Sequence, residues 1–166
     1  MPFALFPLSK PQLEWLAESR EPEEFQGRTD PGSMPPSFVA ARSLKLGAEG
    51  KPEPWSTSFL IVREEDARFV GACGFKTAPS AGRVEVGYGV SPVSRGRGAA
   101  TDALKMLSVL AFEAGASEVL AEVLPENEAS IRALQKAGFV QVGTRVDEEG
   151  EYVIQWLRRM SNRADP

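Results

Sequence analysis

The sequence predicts an α/β (α+β) fold in which a mixed central sheet carries helices against it, and three observations point there. Apolar runs with strand character recur from Thr57 onward, at Phe59–Val62, Phe69–Phe75 and Val84–Val90. Two segments instead repeat their apolar residues at helical spacing: Ala103, Leu104, Leu107, Leu110, Ala111 and Ala114 in one, Ile131, Leu134 and Ala137 in the other. A strand, a helix and a strand follow one another near the middle of the chain, which implies local parallel pairing, whereas tight turns elsewhere imply antiparallel pairing.

Taken in order, Ser9-Lys10-Pro11-Gln12 has the signature of a helix start, with a serine cap, proline in the first turn and glutamine three residues after the cap. Leu13, Leu16 and Ala17 give it an apolar stripe. The stretch Glu21–Pro36, rich in Pro, Gly and charge, reads as a loop. A second helix is expected over Phe38–Leu46 with a stop at Gly47, and a break over Gly50–Pro54. Phe59–Val62 and Phe69–Phe75 form a hairpin through Glu64–Ala67. Pro79–Gly82 turns into the strand Val84–Val90, the helix Thr101–Ala114 follows, and Val119–Leu124 is a short strand interrupted by Glu122. Asn127–Ser130 opens a last helix, which Gly138 and Phe139 close. Val140–Val142 and Tyr152–Leu157 are the final strands, joined by the acidic turn Asp147–Gly150, and the polar tail after Arg158 is expected to fray.

At 166 residues the chain is expected to form a single domain, residues 1–166, with a core of its own. A net charge of −4 argues against nucleic acid as partner, because phosphate backbones demand a basic face. No apolar run approaches the roughly 20 residues that cross a bilayer, and MPFALFPLSKP lacks the basic start and cleavage site of a signal peptide. The lone Cys73 excludes an internal disulfide, which fits a cytoplasmic setting. The sequence contains no histidine, and this removes Ser-His-Asp and Cys-His nucleophile systems and the common zinc sites. Proton transfer therefore falls to carboxylate, tyrosine, serine, lysine or water, and no metal site is expected.

The junction between the strand Val84–Val90 and the following helix reads Ser94-Arg95-Gly96-Arg97-Gly98-Ala99-Ala100-Thr101. First-turn amides of a helix lack intrahelical acceptors and carry the positive end of the helix dipole. Gly96 and Gly98 let the main chain approach a ligand, and Arg95 and Arg97 add charge, so the junction suits a pyrophosphate. Gly-Lys-Ser/Thr is absent, and Thr101 replaces the third glycine of a dinucleotide fingerprint.

Three stretches together resemble the GNAT superfamily of N-acetyltransferases, and within it the branch of ribosomal-protein alanine and serine N-acetyltransferases. They are Val84-Glu85-Val86-Gly87-Tyr88-Gly89-Val90, Arg95-Gly96-Arg97-Gly98-Ala99-Ala100-Thr101, and Asn127 through Phe139. The likeness is good from about Thr57 to Leu157 and weak over the first 55 or so residues, a divergent helical region expected on the substrate side. The resemblance implies a mostly antiparallel sheet with a splayed parallel strand pair, and acetyl-CoA wedged between Val84–Val90 and Val119–Leu124. Tyr88, Gly89 and Val90 would bind the pantetheine arm by their main chain. The turn from Arg95 to Thr101 would hold the pyrophosphate, and Asn127 and Ser130 would lie beside the sulfur.

The implied activity is transfer of an acetyl group to a primary amine, either a protein N-terminus or a small amine, through a tetrahedral intermediate. An α-amine titrates near ~8 and a lysine near ~10.4, so the reaction gains from a base. Glu85 is the first candidate for it, through water; Glu122 is its rival, with a salt bridge within the sheet as the alternative role. The departing thiolate takes a proton. Many relatives place a tyrosine acid where this chain has Leu134, which shifts that role to Ser130. Tyr88 is expected to pack rather than react, and Cys73 to be an inert core residue. The acceptor is expected to enter between the N-terminal region and the Asp147–Gly150 turn, whose carboxylates would attract a cationic amine. A coenzyme A-binding module without catalysis is the alternative, in a monomer or a homodimer.

Overall fold

The computed structural model describes residues 2–161. Among them the elements are β1 (Phe3–Pro7), α1 (Lys10–Ala17), α2 (Ser37–Ala48), β2 (Ser58–Arg63), β3 (Arg68–Phe75), β4 (Arg83–Val90), α3 (Ala99–Glu113), β5 (Glu118–Val123), α4 (Glu128–Lys136), β6 (Val140–Val146) and β7 (Tyr152–Arg159). The strands form one sheet in the order β1-β2-β3-β4-β5-β7-β6. Neighbours pair antiparallel except β4 and β5, which are parallel. The fold is the mixed, mostly antiparallel α/β architecture that the sequence predicts.

Strand alternation divides the side chains between two faces. Phe59, Ile61, Cys73, Phe75, Val84, Val86, Val119 and Ala121 point to one face and pack against α3 and α4. The stripe of α3 supplies Ala103, Leu104, Leu107 and Ala111, all 0% exposed. Leu60 and Phe69 point to the other face and pack with Leu13, Leu16, Phe25 and Ala40 from α1, α2 and the loop between them. Burying a leucine of this kind stabilises by about 1.5–3 kcal/mol, so both helix layers are held chiefly by their apolar faces.

Local chemistry fixes the helix ends. Ser9 and Gln12 form a capping box, with the Ser9 amide donating to Gln12 Oε1 at 2.9 Å and the Gln12 amide to Ser9 Oγ at 3.3 Å. At the far end of α4 the Phe139 amide donates to the Leu134 carbonyl and the Gly138 amide to that of Gln135, the paired bonds of a Schellman stop.

Several sequence expectations need correction. The first 55 residues are not only helical, because Phe3–Pro7 adds an edge strand antiparallel to β2. Helix α2 runs through Gly47 and stops at the left-handed Gly50. Helix α3 begins at Ala99, two residues before the expected Thr101. Strand β6 extends past Val142 to Val146 by way of a bulge between Gln141 and Gly143. Strand β7 reaches Arg159, and the tail expected to fray lies mostly outside the described residues. No helix among the described residues is long and apolar enough to cross a membrane.

Candidate active site

The parallel pair is short. Arg83, Val84 and Glu85 pair with Glu118, Val119 and Leu120, and there the ladder ends. Beyond it β4 stays paired with β3, from Val86 opposite Phe75 to Val90 opposite Gly71, and β5 stays with β7. From Val86 onward β4 thus has a strand neighbour on one side only. On the α3–α4 face this parting opens into a cleft of ≈ 590 Å³ between β4, the Ser94–Thr101 junction and the first turns of α4.

The junction has the conformation that anion binding requires. Gly96 and Gly98 have φ of +79° and +90°, a region costly for residues with a side chain, and a Cβ at either would meet nothing within 4 Å. Conformation rather than crowding therefore demands glycine here. Gly98 is the N-cap of α3 without a capping side chain, and the first helical bond runs from the Asp102 amide to the Gly98 carbonyl at 3.0 Å. The amides of Ala99, Ala100 and Thr101 are left without helical acceptors and open to a ligand.

Most of the residues singled out in the sequence converge on this cleft. Tyr88, Gly89, Val90, Arg95, Gly96, Gly98, Ala99, Ala100, Thr101, Asn127 and Ser130 all border it. Arg97 is exposed and does not border it. Arg95 folds back so that its Nε donates to the Val90 carbonyl at 3.4 Å. Two cations that the sequence reading passed over, Arg132 and Lys136, border the cleft from α4. They stand four apart, in register with Ala129 and Ala133, whose small side chains keep that face of α4 open.

Asn127 caps α4, its Oδ1 accepting from the Ser130 amide at 3.2 Å. The Ser130 hydroxyl bonds the Tyr88 hydroxyl across the cleft. Tyr88 packs against the core as expected, and its hydroxyl also reaches the cleft beside Ser130. Burial pushes its phenol above the ordinary value, against the Ser130 bond, which lowers it. Leu134 is fully buried in the core.

Glu85 lies on the opposite, α2 face of the sheet, where its carboxylate meets Lys76 Nζ at 2.7 Å. Glu122 is held by Arg145 Nη2 at 2.8 Å and by Gln155 Nε2 at 2.9 Å. The Arg145 hydrogen bond comes first among the causes that hold its carboxyl below the ordinary value. Glu122 thus makes the salt bridge within the sheet that was its alternative role. Asp147 is absorbed by its own turn, Oδ1 accepting from the amides of Glu149 and Glu151, and Glu148 stands 4.0 Å from Arg145. Cys73 is buried, and desolvation pushes its thiol far up, so it is inert. A larger cavity of ≈ 800 Å³ shares Lys136 with this cleft and is bordered by Leu5, Met106, Val109, Lys105 and Arg158, with no carboxylate or hydroxyl on its border.

The junction is anchored by a residue that local sequence did not reveal. Asp30 accepts from the Ser94 hydroxyl and from Arg68 Nε, the latter at 2.9 Å, and is 8% exposed. The Ser94 bond leads the causes that hold its carboxyl below the ordinary value. A depressed carboxyl stabilises the fold above its unfolded value near ~3.9, and this is lost as pH falls through the folded value. Asp30→Asn should therefore lower unfolding stability at pH 7 by about 1–3 kcal/mol. The deficit should shrink below about pH 4. Urea unfolding at both pH values checks this.

Comparison with known proteins agrees with this geometry. Residues 9–140 match the acetyltransferase (GNAT) domain family. An uncharacterized N-acetyltransferase, p20 of Bacillus licheniformis, is 33% identical over 106 residues, 63% of this chain and 57% of that protein. Among solved structures, a ribosomal-protein-S5-alanine acetyltransferase from Vibrio fischeri superposes with a TM-score of 0.69 at 14% identity, over 98% of this chain and 95% of its own. The aminoglycoside acetyltransferase AAC(6')-Ib, in complex with paromomycin and acetyl-CoA, gives 0.68 at 17% identity over 100% of both chains. With the family matched across α1 to the start of β6 and the splayed sheet in place, the chain belongs to the GNAT acetyltransferase family.

Proposed function

We propose that the protein transfers an acetyl group from acetyl-CoA to a primary amine. The parting of β4 from β5 directly beyond Glu85, onto the free amides of Ala99–Thr101, carries this reading. The residues present fit the cosubstrate: left-handed Gly96 and Gly98 shape a diphosphate cradle, and Arg95, Arg132 and Lys136 add positive charge around the cleft. The one-sided edge of β4 from Val86 to Val90 accepts the amides of an extended pantetheine arm as an added strand would. Acetyl-CoA, when bound, supplies the acetyl group as a thioester.

The chain's own groups then divide the proton work between the two faces of the sheet. Glu85, on the α2 face, takes the proton of the acceptor nitrogen through water as the N–C bond forms. Ser130, backed by the Tyr88 phenol, gives a proton to the sulfur as the C–S bond breaks, from the α4 face. Relatives in the fold support amines as the acceptor class, since the neighbours include a chimera of a Vibrio cholerae spermidine N-acetyltransferase at a TM-score of 0.67.

Calorimetric titration of coenzyme A, followed by coenzyme A release from acetyl-CoA across an amine panel, tests the reading. Heat with release establishes the transferase, heat without release from any amine leaves a binding module, and no heat overturns both. Tyr88→Phe and Ser130→Ala should each lower kcat by about 10–100-fold. The double variant should fall little further, because two groups that pass one proton act as a unit.

A further inference from the structure

The α2 face of the sheet beside Glu85 is a floor almost without side chains. Ala72 lies opposite Gly89, and Gly74 opposite Gly87, all four on this face. A Cβ at Gly89 would meet nothing within 4 Å, and one at Gly87 would meet only Lys76 Cε, at 3.4 Å. Helix α2 borders this floor, tied to β2 by a 2.6 Å bond between the Ser43 and Ser58 hydroxyls. Next to Ser43 stands Arg42, half-buried, with its guanidinium 6.0 Å over the ring centroid of the exposed Phe38.

The charges on this face do not balance. Lys76 is matched by Glu85, and Arg145 by Glu122. Asp147 is absorbed by its turn, and Glu148 lies 4.0 Å from Arg145 with its side chain 86% exposed. Arg42 makes no hydrogen bond or ion pair among the described residues. Its charge is partly desolvated, and burial lowers its affinity for a proton while the nearby Glu85 raises it. A guanidinium in this state is a planar fork of donors waiting for an anion. Glu85 acts on this charge from nearby, but makes its ion pair with Lys76 and none with Arg42.

We propose that the acceptor carries a carboxylate close to its amine, and that Arg42 binds this carboxylate while Glu85 serves the nitrogen. This deepens the proposed acetyl transfer and rests on it. An amino acid and a peptide N-terminus followed by an acidic residue share the chemistry. A polyamine is the opposite case, because it would bring positive charge to a face that already has an unmatched cation. The glycine floor beside Glu85, with α2 at its border, leaves room for both groups of the acceptor.

The test is a ratio of kcat/KM values, taken at equal concentrations of neutral amine. One arm compares an amino acid with its amide, and a second compares a dipeptide amide bearing Glu at its second position with one bearing Gln. The wild type should favour the carboxylate form at least tenfold in one arm, and that arm identifies the source. Arg42→Met should bring the ratio near one, Arg42→Lys should restore part of it, and Arg42→Glu should shift preference toward spermidine. A wild-type ratio of one or below in both arms, with release from other amines intact, overturns the inference alone, and so does a ratio that survives Arg42→Met. Absence of coenzyme A release with every acceptor overturns it together with the transferase reading.

Discussion

Gly98→Val raises the dissociation constant for coenzyme A by at least two orders of magnitude. Gly98 holds φ at +90° at the N-cap of α3, and a β-branched residue is a severe outlier there. The chain can relieve the strain only by turning the Gly98–Ala99 peptide, and that swings the first-turn amides off the diphosphate. Each hydrogen bond to a charged group contributes about 1.5–3 kcal/mol, so losing two costs about 3–6 kcal/mol. Every 1.4 kcal/mol is about tenfold in affinity. Gly150→Val is the matching control. Gly150 has φ of +81° in the exposed β6–β7 turn with equal space around it, so the same strain arises at a residue outside the cleft lining. Titration calorimetry should show affinity lost in the first variant and kept in the second, with similar losses of thermal stability. Equal affinity in both would remove the diphosphate from the α3 terminus.

What the sequence makes legible is what is encoded locally. The capping box at Ser9, the Asn127 cap and the Schellman stop after α4 each occupy a few adjacent residues, and each forms as its signature predicts. The cleft residues from Tyr88 to Thr101 lie on one strand and the turn after it, so placing the strand places most of the set. Strand β1 is different: five residues ending at Pro7 have little strand signal, and they become a strand because β2 offers an edge. Gly47 looks like a helix stop, yet the Glu49 amide still finds the Lys45 carbonyl and the turn continues to Gly50. The groups that were missed act at long range. Asp30 reaches Ser94 across 64 positions, and Lys76 reaches Glu85 only because β3 and β4 pair antiparallel in that register. No window of a few residues holds such information. The Tyr88–Ser130 bond, between residues 42 apart, is of the same kind.

Glu85→Gln lowers kcat by about a hundredfold or more near neutral pH and leaves coenzyme A affinity unchanged, since the residue faces away from the cleft proposed for the diphosphate. The amide keeps the size of the carboxylate and can still accept from Lys76, so the variant removes basicity more than structure. The pH profile carries the sign. Below the amine's own value, near ~8 for an α-amine, the acceptor arrives as ammonium and must surrender a proton before it can attack. Above that value the neutral amine is already present and a base has less to contribute, so the variant's deficit should narrow as pH rises. Glu122→Gln separates this from a general weakening of the site. Glu122 is held by Arg145 and Gln155 and only 7% of its side chain is exposed, so losing its charge leaves Arg145 without its partner. That variant should lose thermal stability and keep the wild-type shape of kcat against pH. If Glu85→Gln instead lowers kcat by the same factor at every pH, Glu85 positions the acceptor rather than taking its proton.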